Sequence, residues 1–190
     1  MTVLATFTAD GNMLTPTIVA KGKTVQCERS YAELAHDSAF LQHTESGLTT
    51  SESFIEWIDN VVLLYTKNCR EVLVLDQWTA HLTDSGSHLR SHHITMLEVP
   101  ARGTSLLQPL DVGVFGVAKK RIRAAYKEDM FIKDWTEPDR WESTVACVKQ
   151  LLAVDQVTIL RGWQLAFPNY IDELKKRDMP YWVEKKPISL

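Results

Sequence analysis

The chain has 190 residues, 45% of them hydrophobic and 24% charged, with 21 Lys+Arg against 24 Asp+Glu and a net charge of −3. That length suits one domain at ~100–200 residues each, and the composition excludes a disordered tail, a collagen-like chain and a coiled coil. No apolar run approaches the ~18 residues of a membrane span, and a chain devoted to coating DNA would be more basic, so any nucleic-acid contact has to be local.

The opening MTVLATFTAD lacks a basic leader and is interrupted by Asp10, so it does not read as a signal peptide. Thr2–Phe7 alternates and is rich in β-branched residues. With the Ala-Asp-Gly-Asn turn and Leu14–Ala20 it predicts a β-hairpin. Pro16 lacks an N–H, so one side of the second strand is expected at a sheet edge. Residues 28–47 are polar and mixed, with a weak helical pattern over Tyr31–Leu41. Thr49-Thr50-Ser51-Glu52 has the form of a capping box. Phe54, Trp57, Ile58, Val61 and Tyr65 then recur at helical spacing, which predicts a helix over 51–67. Glu71–Leu75 (EVLVL) looks like a central strand covered on both faces. It ends at Asp76, the carboxyl end of a strand, where ligands bind in open α/β sheets.

Ser85–His93 reads as a loop with one helical turn, and Ile94–Val99 as a further strand. Pro109 suits a helix start, because its missing N–H costs nothing there. Asp111 then falls in the first turn, which suits a carboxylate electrostatically. It leads a stripe of Phe115, Ala118, Ile122 and Tyr126, the expected buried face. Another helix follows Thr136-Glu137-Pro138-Asp139, with Trp141, Val145, Val148 and Leu152 on one face. Asp155 caps a last one over Gln156–Phe167, which Pro168 stops. A charged tail occupies 169–190. The order of strands and helices fits an α/β fold with a mixed sheet. The odd, scattered Cys27, Cys69 and Cys147 form no C-x-x-C pair and read as buried small hydrophobes in a reducing compartment.

Asp76 and Asp111 stand out by context. They lie 35 positions apart, one ending an apolar strand and one opening an amphipathic helix. Carboxylates so placed can share hard cations such as Mg²⁺, which prefer oxygen ligands. Two such ions can activate a nucleophile and stabilise a leaving oxygen in phosphoryl transfer. Asp is also a common turn residue and a common helix cap, so spacing alone leaves both readings open.

LVLDQWTAH at 73–81 and TSLLQPLDVGVFGVAKK at 104–120 resemble the DDE superfamily endonuclease domain of pogo/Tigger/Fot1-like transposases, within the mariner-like group. TVLATFTADGNMLTPTIVAKGK resembles that family's hairpin and VTILRGWQLAF its late helix, so the resemblance covers most of 2–168, with 1–168 as the partial catalytic domain. It implies an RNase H-like fold, three catalytic aspartates holding Mg²⁺ or Mn²⁺, and metal-dependent DNA cleavage and strand transfer in the nucleus. Asp76 matches the second carboxylate and Asp111 the third. DNA is the implied partner, a homodimer is compatible, and no membrane or small-molecule substrate is implied. The first Asp lies, in that family, on a strand just before the hairpin, in an Asp-Glu-Thr-Gly-like segment. This sequence opens at the hairpin, and Asp10 sits in the turn, where the family's Asp is not catalytic. The expectation is therefore a sheet lacking its first central strand, two facing rows of unpaired backbone groups, and a chain inactive by itself. The alternative is a transposon-derived relic that binds DNA or protein without catalysis.

His81, five residues after Asp76, is a candidate for orienting a phosphate or a metal-bound water, or a loop residue packed on Trp78. Lys119, Lys120, Arg121, Arg123 and Lys127 form the best local basic patch, on the helix of Asp111. Such residues supply sequence-independent phosphate affinity, although charge runs also occur as solvated helix faces. His81, His88, His92 and His93 cluster, but their spacing is irregular, no cysteine joins them and no helix is evident to present them, so zinc is not expected there.

Overall fold

The computed structural model describes residues 1–31, 39–67, 69–76, 85–132 and 140–169, with only the backbone course for Ser30, 125–132 and 140–145. The hairpin forms as its sequence predicts. Strand β1 (Thr2–Leu4) pairs antiparallel with β2 (Thr17–Lys21), Thr2 opposite Val19 and Leu4 opposite Thr17. A Phe7–Met13 bridge extends the ladder toward the turn. Within the turn the Thr8 and Asp10 side chains are hydrogen-bonded, and Gly11 adopts φ 86°, a value that needs no Cβ.

A third strand, β3 (Phe40–Thr44), runs parallel to β2, with Thr17 opposite Phe40 and Lys21 opposite Thr44. It overturns two expectations. The pattern over Tyr31–Leu41 does not end as a helix, and β2 is not an edge but the middle of three strands. Pro16 escapes the conflict by lying one residue before β2, where its carbonyl accepts the Phe40 N–H at 2.8 Å. A 3₁₀ helix (Val25–Tyr31) precedes β3.

The amphipathic helix at 51–67 is present in three parts: α1 (Ser51–Trp57), a π-helical segment (Ile58–Val62) and α2 (Leu63–Thr66), ended by Lys67 in the left-handed region. Its cap sits one residue later than predicted. The Thr50 side chain accepts the Ser53 N–H at 3.3 Å, and the Ser53 hydroxyl accepts the Thr50 N–H at 2.8 Å. Phe54, Trp57, Ile58, Val61 and Val62 are buried together with Leu14, Leu89 and Ile94.

Strand β4 (Glu71–Asp76) pairs in parallel with β5 (Ile94–Val99), linked through α3 (Ser85–Ser91). The two strands form a separate sheet; among the described residues β4 has no second partner, and β1 pairs only with β2. That one-sided pairing is what a sheet without its first central strand predicts, but the strand is not covered on both faces as its apolar run suggests, since Val72 is 58% exposed. One helix still spans both sheets: Leu4 and Phe40 from the first, and Leu73, Leu75 and Met96 from the second, pack on the same cluster under α1. The hairpin turn meets the start of β4. Tyr65 Oη donates to Asp10 at 3.2 Å, and burial, then the Asp10 charge, push the Glu71 carboxyl up.

The opposite layer comprises α4 (Thr104–Leu107), a π-helical segment (Leu110–Val114) continuing into α5 (Phe115–Ile132), α6 (Arg140–Leu152) and α7 (Gln156–Ala166). Val114, Ala118, Leu151, Val154 and Ile159 pack there with Phe7 of the hairpin. On α6 Val148 is buried as the predicted stripe requires, but at the end of the helix Leu151 is buried in place of Leu152, which is 46% exposed; the side chains of Trp141 and Val145 lie outside the described residues. Asp155 caps α7 as expected, its side chain accepting the Thr158 N–H at 2.8 Å. Cys27 and Cys147 are half-buried and Cys69 is exposed, so the uniformly buried thiols expected from sequence are not found. No helix among the described residues is long and apolar enough to cross a membrane.

Candidate functional site

Alternation along β4 decides where Asp76 points. Leu73 and Leu75 pack under α1, so Val72, Val74 and Asp76 lie on the other face of the strand. That face looks toward the helical layer that carries Asp111. Val74 lines a cavity together with Phe7, Gln108, Pro109, Leu110, Val114, Ile159 and Trp163. Asp76 is two residues beyond one wall of this cavity and Asp111 one residue beyond another, so both carboxylates belong to the same side of the second sheet. Asp76 is half-buried and stands opposite Val99 in the register; Asp111 is exposed.

Asp111 owes its place to the local backbone. Pro109 precedes the π-helical segment and supplies the helical φ of −53°. The Asp111 and Val112 N–H groups both donate to the Gln108 carbonyl at 3.1 Å. The wider π turn brings Gly113 against Gly162 of α7, with no side chain between the two backbones. π segments inside α-helices often occur at functional sites. Asp111 leads its helix as expected, but the buried residues behind it are Val114 and Ala118, with Phe115 only half-buried. Tyr126, the last residue of the predicted stripe, lies outside the described side chains.

The cavity carries two features that the sequence did not flag. Gln108 Oε1 and Trp163 Nε1 are buried, and neither has a hydrogen-bond partner among the described residues. Two residues that line the cavity thus carry a buried acceptor and a buried donor with no partner among the described residues, a costly state for buried groups. Gln108 could have been suspected from its place just ahead of Pro109. Nothing in the sequence marks Trp163, which reads only as one more apolar residue of α7.

The basic residues divide. Lys119, Lys120 and Arg123 are exposed on α5, and Lys119 Nζ lies 5.8 Å from the Phe115 ring centroid. Arg121 is committed elsewhere. It donates to the Ala153 carbonyl at 2.6 Å and lies 4.0 Å from Asp155, tying α5 to the α6–α7 turn. The side chain of Lys127 and the whole of His81 and Trp78 lie outside the described residues.

No curated protein and no solved structure matches the chain. The family model described as "DDE superfamily endonuclease" matches residues 1–168. That span takes in the hairpin, β4 with Asp76, the π turn with Asp111 and the capped α7, so the chain belongs to the DDE superfamily of endonucleases, a family of transposase-type nucleases that act on DNA with divalent metals.

Proposed function

We propose that Asp76 and Asp111 are two of the three metal-holding carboxylates of a DNA-cleaving and strand-transferring site of the pogo/Tigger/Fot1 kind, working in the nucleus. The observation that carries this reading is the shared cavity wall. Val74 and Leu110 line one space, and Asp76 and Asp111 follow close behind them in sequence, which supports placing the two carboxylates at one site. Their donor set fits a hard cation: two carboxylates, one half-buried and one exposed, leave room for the waters that Mg²⁺ or Mn²⁺ retains. When bound, the metal would lower the cost of charge on the attacking and leaving oxygens of a phosphodiester. Asp76 and Asp111 hold it, His81 orients a phosphate or water beside it, and the exposed Lys119, Lys120 and Arg123, with Lys127, hold the DNA backbone.

The same chain is proposed to be incomplete as a catalyst. Phe7 of the hairpin and Val74 of β4 line the same cavity, while among the described residues β1 and β4 do not pair; the family's first aspartate would ride on a strand between the hairpin and β4. That strand's backbone would also meet Gln108 Oε1 and Trp163 Nε1. The split sheet equally suits a non-catalytic module that keeps DNA or protein binding, and the two readings part on activity. Mn²⁺ binding followed by electron paramagnetic resonance should show weak occupancy that Asp76→Asn and Asp111→Asn each abolish; occupancy indifferent to both would sink the assignment. The 190-residue chain should leave supercoiled plasmid intact in Mg²⁺ or Mn²⁺. Nicking that Asp76→Ala removes would show that the site is complete after all.

A further inference from the structure

A second constellation of metal-binding side chains lies on the other layer, away from Asp76 and Asp111. Asp59, His88 and His92 each offer one ligand atom, and the three atoms lie within 4.8 Å of one another. His88 lies on α3 and His92 in the turn that closes it, four residues on, which brings the two rings to the same side. Their centroids are 5.1 Å apart. Asp59 comes from the π-helical segment after α1, with Oδ1 2.6 Å from His88 Nε2.

The scaffold around the three is fixed. Leu89, between the two histidines, is fully buried in the cluster under α1, which locks α3 against that helix. Beyond it the helix closes tightly: the His92 N–H donates to the Leu89 carbonyl and the His93 N–H to the Arg90 carbonyl, each at 3.1 Å. His93 then takes φ 62° and turns the chain away into β5. Irregular spacing in the sequence hid this arrangement, because α3 was not evident there.

We propose that Asp59, His88 and His92 form a Zn²⁺ site that clamps the π-helical segment to α3. Two imidazoles and one carboxylate match the preference of Zn²⁺ for mixed nitrogen and oxygen donors, with a fourth position left to water. Zinc bonds of ~2.0–2.1 Å place neighbouring ligands roughly 3.3–3.5 Å apart in a tetrahedron, so small side-chain rotations close the site. His88 is 28% and Asp59 46% exposed, so an ion can reach them. Binding replaces the His88–Asp59 contact. The clamp joins the helix that covers both sheets to the connection between β4 and β5.

Zinc titration of the full chain by calorimetry, with far-UV circular dichroism as a fold control, tests this. One equivalent should bind and raise the melting temperature. His88→Ala and His92→Ala should each weaken binding at least tenfold, while Asp76→Asn/Asp111→Asn leaves it unchanged and millimolar Mg²⁺ does not compete. Histidine-ring NMR of the unaltered chain gives a readout that needs no variant: of the six histidines, two should shift on zinc addition. Absence of binding, equal affinity in the His92→Ala chain, or shifts at other histidines would each overturn the proposal.

Discussion

Gly113 and Gly162 meet backbone to backbone: a Cβ on Gly113 would stand 2.7 Å from Gly162 Cα, and one on Gly162 would stand 2.6 Å from the Pro109 carbonyl oxygen. The turn carrying Asp111 is thereby seated directly on α7. Because backbone cannot swing aside as a side chain does, Gly162→Ala should destabilise the fold by about 1–3 kcal/mol, the range for overpacking a filled site. Gly116→Ala is the control. That glycine lies in α5 with nothing within 4 Å of an added Cβ, so the change should be neutral or stabilise by about 0.5–1 kcal/mol. Urea unfolding followed by tryptophan fluorescence separates the two.

Asp155 links stability to acid. Hydrogen bonding from the Thr158 N–H holds its carboxyl below the ordinary range, aided by the Thr158 hydroxyl and Arg121. A lowered folded-state value contributes stability that is present above the ordinary carboxylate range and lost as pH falls through the folded value. Asp155→Ala should cost about 1 kcal/mol at neutral pH, typical of a lost N-cap, and the deficit should shrink on acidification. Asp155→Asn, which keeps an acceptor, should lose less. Urea midpoints across the acid range give the comparison.

Glu71 acts in the opposite sense. Burial first, and the charge of Asp10 second, raise its carboxyl above the ordinary value. The folded chain therefore holds that proton longer than the unfolded chain, and stability falls as pH rises from the ordinary carboxylate value through the raised one. Glu71→Gln should be more stable than the parent above that window and no different below it. Thermal melts at a series of pH values would show the divergence; parallel curves would mean that neither burial nor Asp10 raises the Glu71 carboxyl.

Charge reversal on α5 should discriminate by side chain. Lys120→Glu and Arg123→Glu alter exposed residues, so stability should hold while DNA affinity falls. If each neutralises one phosphate, each substitution should flatten the log–log salt slope by ~0.9. Arg121→Ala should instead lower stability, because it removes the donor to Ala153. Fluorescence anisotropy with labelled duplex at several salt concentrations reads the first effect; an unchanged slope discards the DNA role of this face.

What could be read from sequence was local. The hairpin, the helix after Thr50 and the Asp155 cap each announce themselves within a few residues, through turn chemistry, 3.6-residue periodicity and a side-chain acceptor. β3 was missed because Phe40–Thr44 (FLQHT) has little of the β-branched alternation of β1, and its pairing with β2 is made across an intervening 3₁₀ helix. The one-sided pairing of β4 follows the expectation of a sheet without its first central strand, but Val72 is exposed, because an apolar run reports a tendency to bury side chains and not which neighbour covers them. At the candidate site, Asp76 and Asp111 were visible as a strand end and a helix start. The Gly113–Gly162 contact and the unpartnered Gln108 and Trp163 depend on which elements touch, and no local pattern encodes that. Asp59, His88 and His92 were obscured likewise, since the aspartate lies on a different helix from the pair.

The one-sided pairing of β4 bears on how finely Asp76 is held. Its backbone is registered by Val99 on one flank, and among the described residues no strand steadies the other. A metal-binding carboxylate needs placement within about 0.5 Å to work well. Asp111 has such support from its backbone, through the contact of Gly113 with Gly162 of α7; the strand pairing of Asp76 is with Val99 of β5. At the proposed metal centre, a strand added to the flank of β4 away from β5 would extend the backbone support of Asp76 without touching a metal ligand.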